Sequence, residues 1–166
     1  MNCHDNEPMD SINQHQPEDT RQIIQTAEAI KRIHETVEKT ASCFFCTAFR
    51  IGDSVGARPM SVRKVDDRGH LWFLSASDSH KNAEIAADPS VTLYFQGSEH
   101  SDFLQLRGPA SISLDKARIR ALWQPAFKTW FAHGIDDPRI TAIEVAPASG
   151  YYWDIKHGNA VAGIKM

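Results

Sequence analysis

RPMSVRKVDDRGHLWFLSASDSHK, running from Arg58 to Lys81, is the stretch on which the fold of this chain turns. Arg58–Val65 reads as a basic strand, Asp66, Asp67 and Gly69 as a turn, and His70–Ser75 as an apolar strand. The polar residues that follow open a short helix, Lys81–Ala87, with Lys81 in its first turn. A helix start offers unpaired N–H groups and the positive end of the helix dipole, which suits an anion. Ser77, Ser79, His80 and Lys81 add donors there, and Arg58 and Arg63 on the neighbouring strand can turn toward the same place. The outline is a phosphate pocket on a β scaffold.

Working outward, short apolar runs separated by turn residues predict strands at Ser42–Arg50, Val91–Gln96, Phe103–Leu114, Arg139–Val145 and Gly150–Ile155, about seven in all. Asp88 and Pro89 stop the short helix, and Asp115 opens another that carries Arg118, Leu122 and Trp123. From Pro17 to Lys39, Ile23, Ala27, Ile30, Ile33 or His34 and Val37 recur at three- and four-residue steps. That spacing predicts an amphipathic helix covering a barrel end. The fold class is mainly β (α+β): a six- to seven-stranded antiparallel split β-barrel with an N-terminal helix and short peripheral helices. Residues 1–17 read as a disordered tail, 18–156 as the domain and 157–166 as a C-terminal tail.

The 166 residues suffice for one domain, and 42% hydrophobic with 23% charged residues is ordinary for a globular protein. A net charge of −3 argues against nucleic acid as partner, because phosphate contacts need a basic face. No apolar run is long enough to span a bilayer, and the polar, acidic N-terminal stretch is unlike a secretory signal, so a cytoplasmic location is expected. Three cysteines lack framework spacing. Cys43 and Cys46 form a C-x-x-C inside a strand, where residues three apart face opposite sides, so no metal or redox pairing is expected of them. His4, His15, His100 and His133 fit no triad or metal spacing, and no residue receives a catalytic role.

Taken in order, RPMSVRKV, DDRGHLWFLSA, SHKNAEIAADPSVTLYF, FLQLRGPASI and the block from WFAHGIDDPRITAIEV to GYYWD resemble the pyridoxamine 5'-phosphate oxidase-like FMN-binding split barrels. Within them they resemble the general stress protein 26 branch, over roughly residues 20–156. The resemblance implies FMN as cofactor, with FAD as an alternative, and a homodimer with flavin sites at the subunit interface. It places Arg58 and the strand Met60, Ser61, Val62 and Arg63 beside the isoalloxazine ring. Phe73, Leu74 and Ser75 fall along the ribityl chain. Ser79, His80 and Lys81 fall at the phosphate, Ser79 being either a donor or simply the helix cap. Trp153 matches a tryptophan that reaches a flavin from the other subunit.

The sequence also departs from the oxidases of that family. His80 stands for an arginine and Arg63 for a lysine, Phe103 occupies the place of a glutamine, and DIKHGNAVAGIKM after Trp153 lacks the Arg-x-His that holds a B6 phosphate. Oxidation of B6 phosphates is therefore not expected. The leading expectation is an FMN-binding flavoprotein, redox-active or not. A true FMN- or deazaflavin-dependent oxidoreductase and a haem-binding split barrel are the alternatives.

Overall fold

The computed structural model describes residues 23–24, 26–54, 56–99, 102–154 and 160–166. In chain order the elements are β1 (Ile23–Ile24), α1 (Thr26–Thr40), β2 (Ser42–Thr47), β3 (Ala57–Ser61), β4 (Lys64–Val65), β5 (Leu71–Ala76), α2 (His80–Ala87) and β6 (Ser90–Gln96). There follow β7 (Phe103–Ser113), α3 (Lys116–Leu122), two 3-10 turns (Pro125–Thr129 and Gly134–Asp136), β8 (Ile140–Val145), β9 (Ser149–Asp154) and β10 (Ala160–Lys165).

Antiparallel ladders run β3–β2–β6–β7 and β4–β5–β8–β7. The chain links their free ends, because β3 and β4 are one strand bent at Val62–Arg63. Val62 N–H still donates to Ala41 and Arg63 N–H to Trp72. Six strand positions thus curl into a barrel, the arrangement that leaves fewest exposed edges. β9, β10 and β1 flare off β7 as an extension, β1 pairing parallel to β10.

β7 leaves β9 after Arg107↔Ser149 and joins β8 at Ala110↔Val145, with Gly108 at the crossing. A Cβ on Gly108 would lie 2.0 Å from the Ala146 carbonyl oxygen, so only glycine permits this close approach.

Alternation fills the barrel. Cys43, Phe45, Leu93, Phe95, Leu104 and Leu106 point inward, and Phe45 meets Phe73 edge-on at 5.3 Å between ring centroids. β5 is buried on both faces, as its unbroken apolar run LWFLSA suggests. Its other face, with Trp72 and Leu74, packs under Ile119, Leu122 and Phe131, and Trp123 lies against the same group.

Two expectations are corrected. Of the helix expected from Pro17 to Lys39, residues 17–22 and 25 lie outside the described residues, and Ile23 and Ile24 spend their backbone groups on β10, so the described helix begins at Thr26. Its buried face is therefore Ala29, Ile33 and Thr36, with Ala27 exposed. Ala29 and Ile33 join the barrel core, so the helix does cover it. Ala160–Lys165, placed in a C-terminal tail, forms β10; its small residues AVAGIK carry little alternation to betray a strand. The N-terminal tail, 1–17, and Lys156–Asn159 lie outside the described residues. Among those described, no helix is long and apolar enough to cross a membrane.

Candidate functional site

The start of α2 is fixed by a small polar network. Ser79 caps the helix: its Oγ accepts from Asn82 N–H at 3.2 Å and donates to Asn82 Oδ1 at 3.1 Å. Ser75 Oγ lies 3.2 Å from Ser79 Oγ. Asn82 Nδ2 donates to Thr141 Oγ1, which donates to the Ser75 carbonyl, so the helix start is tied to both β5 and β8. The geometry shows Ser79 as the cap of this helix.

Lys81 follows on the buried side of the helix, with 9% of its surface exposed. Among the described residues its ammonium has no carboxylate within ion-pair distance. Burial, and then the Arg58 guanidinium, push its pKa down to about 8, against the opposing pull of Glu84. A cation held in this way, at the positive end of a helix, is arranged to receive an anion. His80, its neighbour, is exposed.

Arg58 does not stand free beside a ring. Nη1 and Nη2 each donate to Glu84 Oε2 at 2.9 Å, and Nη2 also reaches Ser54 Oγ at 3.2 Å. Glu84 is wholly buried and further accepts from Thr47 Oγ1 at 2.6 Å and Ile51 N–H at 3.2 Å. Burial pushes its carboxyl up, but hydrogen bonds from Ser54, Thr47, Arg58 and the Ile51 backbone outweigh it and hold the pKa down to about 2. Glu84 was not singled out in the sequence. The signal was an acid three residues after Lys81, beside the buried Ile85.

The remaining candidates separate. Met60 is half-buried against the core, Ser61 faces out, and Val62 and Phe73 lie inside the barrel. The Val62 and Phe73 side chains are committed to the core, Phe73 edge-on to Phe45. Leu74 packs under α3. Arg63 Nε donates to the Leu122 carbonyl at 3.2 Å, and its guanidinium sits 4.7 Å from the Phe127 ring centroid.

Trp153 lies on the outer sheet face, opposite Phe103 and 6.0 Å from the Tyr151 ring. There Phe44, Tyr94, Gln105 and Tyr151 stand directly opposite one another across β2, β6, β7 and β9. Phe44 (59% exposed), Tyr94 (44%) and Tyr151 (47%) make an exposed aromatic ridge. The next row, Cys46, Thr92, Arg107 and Ser149, lines a groove of about 450 Å³. Cys43 is buried and Cys46 half-buried, on opposite faces, both free thiols.

Asp66, His70 and Glu144 bring ligand atoms within 4.8 Å of one another. A cation already sits among them: Arg68 Nη2 donates to Asp66 at 3.0 Å and Glu144 at 2.9 Å. Asp66 also accepts from the N–H groups of Arg68 and His70 and from Trp72 Nε1. The cluster reads as an ion network that fastens the β4–β5 turn to β8.

Comparison with known proteins points one way. Residues 28–166 match the family described as pyridoxamine 5'-phosphate oxidase like. Protein bli-3 of Neurospora crassa is 27% identical over 105 residues, 58% of this chain and 50% of that protein, so the chain spans about half the length of this curated relative. A Clostridium acetobutylicum protein related to general stress protein 26 has a similar fold, with a TM-score of 0.66 and 22% identity over 84% of this chain and 95% of that one. So does a general stress FMN/FAD binding protein from Xanthomonas citri, with a TM-score of 0.61 and 20% identity over 74% and 87%. With its split-barrel fold, the chain belongs to the pyridoxamine 5'-phosphate oxidase-like family.

Proposed function

We propose that the chain is a cytoplasmic, homodimeric flavoprotein of the general stress protein type that grips the FMN phosphate at the start of α2. The observation that carries this reading is Lys81: a buried cation without an ion-pair partner among the described residues, at a capped helix start. The family and the flavin-binding Xanthomonas citri relative are consistent with it. The residues present fit the group at its phosphate end. Toward the ring they offer the β3 backbone, while Arg58 is engaged by Glu84 and Arg63 by the Leu122 carbonyl. When bound, the flavin supplies redox chemistry; the chain's part is to hold the phosphate, shield one side of the ligand and set the local charge. FAD is the alternative occupant, since its FMN half offers the same ring and a related phosphate.

The homodimer is supported by the outer sheet face, where an exposed aromatic ridge adjoins a groove. A ridge and a groove on one surface suit a two-fold, self-complementary contact. That contact would carry Trp153 toward the flavin of the partner subunit. Cysteines without framework spacing fit a reducing compartment. The test is the absorbance spectrum of purified protein, followed by FMN titration of wild type and Lys81→Ala. Saturable binding that weakens in the variant, with the fold intact, is expected; wild type that neither carries nor binds FMN would sink the reading. Substrate-dependent bleaching of the flavin with turnover would add an oxidoreductase activity.

A further inference from the structure

Glu84 has no exposed surface, and the phosphate grip described above makes no direct use of it. Among the described residues it is the carboxylate paired with Arg58, and it stands one turn beyond Lys81 on the same side of α2. Three segments converge on it: Thr47 at the end of β2, Ile51 and Ser54 in the following loop, and Arg58 on β3. We propose that Glu84 is a positioning residue for the anion site: its carboxylate clamps Arg58 and the 51–54 loop against α2 and offsets the guanidinium, leaving Lys81 as the cation that meets a phosphate monoester. The role rests on the reading that the start of α2 takes a flavin phosphate.

Two cations and one buried anion share this corner. Arg58 acts on Lys81 from β3, and Glu84 acts from within α2. Of the other charged groups nearby, Asp78 before the helix is paired with Arg139 at 3.6 Å, and His80 is exposed. Removing the Glu84 charge leaves the repulsion from Arg58 unopposed, so Lys81 loses its proton more readily. A carboxylate that pinned the loop without acting on Lys81 would leave the lysine's titration where it is.

The experiment follows the Lys81 side chain by carbon-13 NMR in ligand-free protein, its signal assigned with Lys81→Arg. Wild type is expected to titrate near pH 8. Glu84→Gln lowers that midpoint by about one unit, and Glu84→Asp, which keeps the charge, restores most of it. A folded Glu84→Gln protein with an unchanged midpoint overturns the proposal. If that variant does not fold, Arg58→Gln decides: a midpoint raised by about one unit supports the charge balance, and an unmoved one overturns it. FMN titration across pH is read in parallel, with the loss of affinity displaced to lower pH in Glu84→Gln. Should wild type not bind FMN, the flavin reading falls, while the lysine titration still decides the role of Glu84.

Discussion

At the scale of the residue, Lys81 carries two pH dependences of opposite sign. Its pKa lies near 8 in the fold and near 10.5 when unfolded. Between those values the unfolded chain binds more protons, so the stability of ligand-free protein rises with pH across that window. The cost of burying the charge is present in full below about pH 8. Phosphate binding at the proposed site is expected to run the other way: a flavin phosphate is already dianionic above about pH 6, so affinity falls as Lys81 deprotonates above about 8. Denaturant melts at pH 7 and 10, with FMN titrations beside them, are expected to move in opposite directions for wild type and to lose both trends in Lys81→Met. Lys81→Ala should weaken FMN about tenfold or more, the size of one charge-assisted hydrogen bond. Lys81 and its cap Ser79 were legible because a helix start announces itself locally. The Arg58–Glu84 pair was not, since 26 residues separate the partners and only the bend of the barrel brings them together.

At the scale of the element, α2 and β7 make the strongest demands. Ser79→Ala removes a cap, which costs about 1 kcal/mol and, for a chain of this size, about 3 °C of melting temperature; calorimetry checks it. Gly108→Ala drives a methyl group into the Ala146 carbonyl where β7 crosses from β9 to β8, and soluble folded protein is expected to be lost. The strands with one wet face, β2 and β6, show their alternation in the sequence, and their core residues can be read from it. β5 hides its two faces in one apolar run, so its sequence does not tell that Phe73 packs into the barrel and Leu74 under α3. The bend at Val62–Arg63 has no glycine to mark it, because backbone hydrogen bonds continue on both sides. The short pairing of β1 with β10 joins distant parts of the chain and leaves no local trace.

At the scale of the whole molecule, the question is what covers the ridge of Phe44, Tyr94 and Tyr151. A two-fold contact makes every substitution count twice, so one charge in the ridge acts on both halves of the interface. Tyr94→Glu would bury two unpaired carboxylates, a cost of several kcal/mol, without touching the barrel core, since Tyr94 points away from it. Light scattering should therefore find wild type at twice 18.6 kDa and the variant at 18.6 kDa with an unchanged circular dichroism spectrum. Leu114→Glu, an equally drastic change at a site 68% exposed beyond the end of β7, should leave the dimer intact. The two properties are coupled in the proposed assembly: separating the subunits removes Trp153 of the partner subunit from the flavin, so FMN affinity should fall in Tyr94→Glu though Lys81 is untouched. A wild-type chain that runs at 18.6 kDa and still binds FMN would break that coupling. The site would then be complete in one barrel, with the aromatic ridge reserved for a different partner.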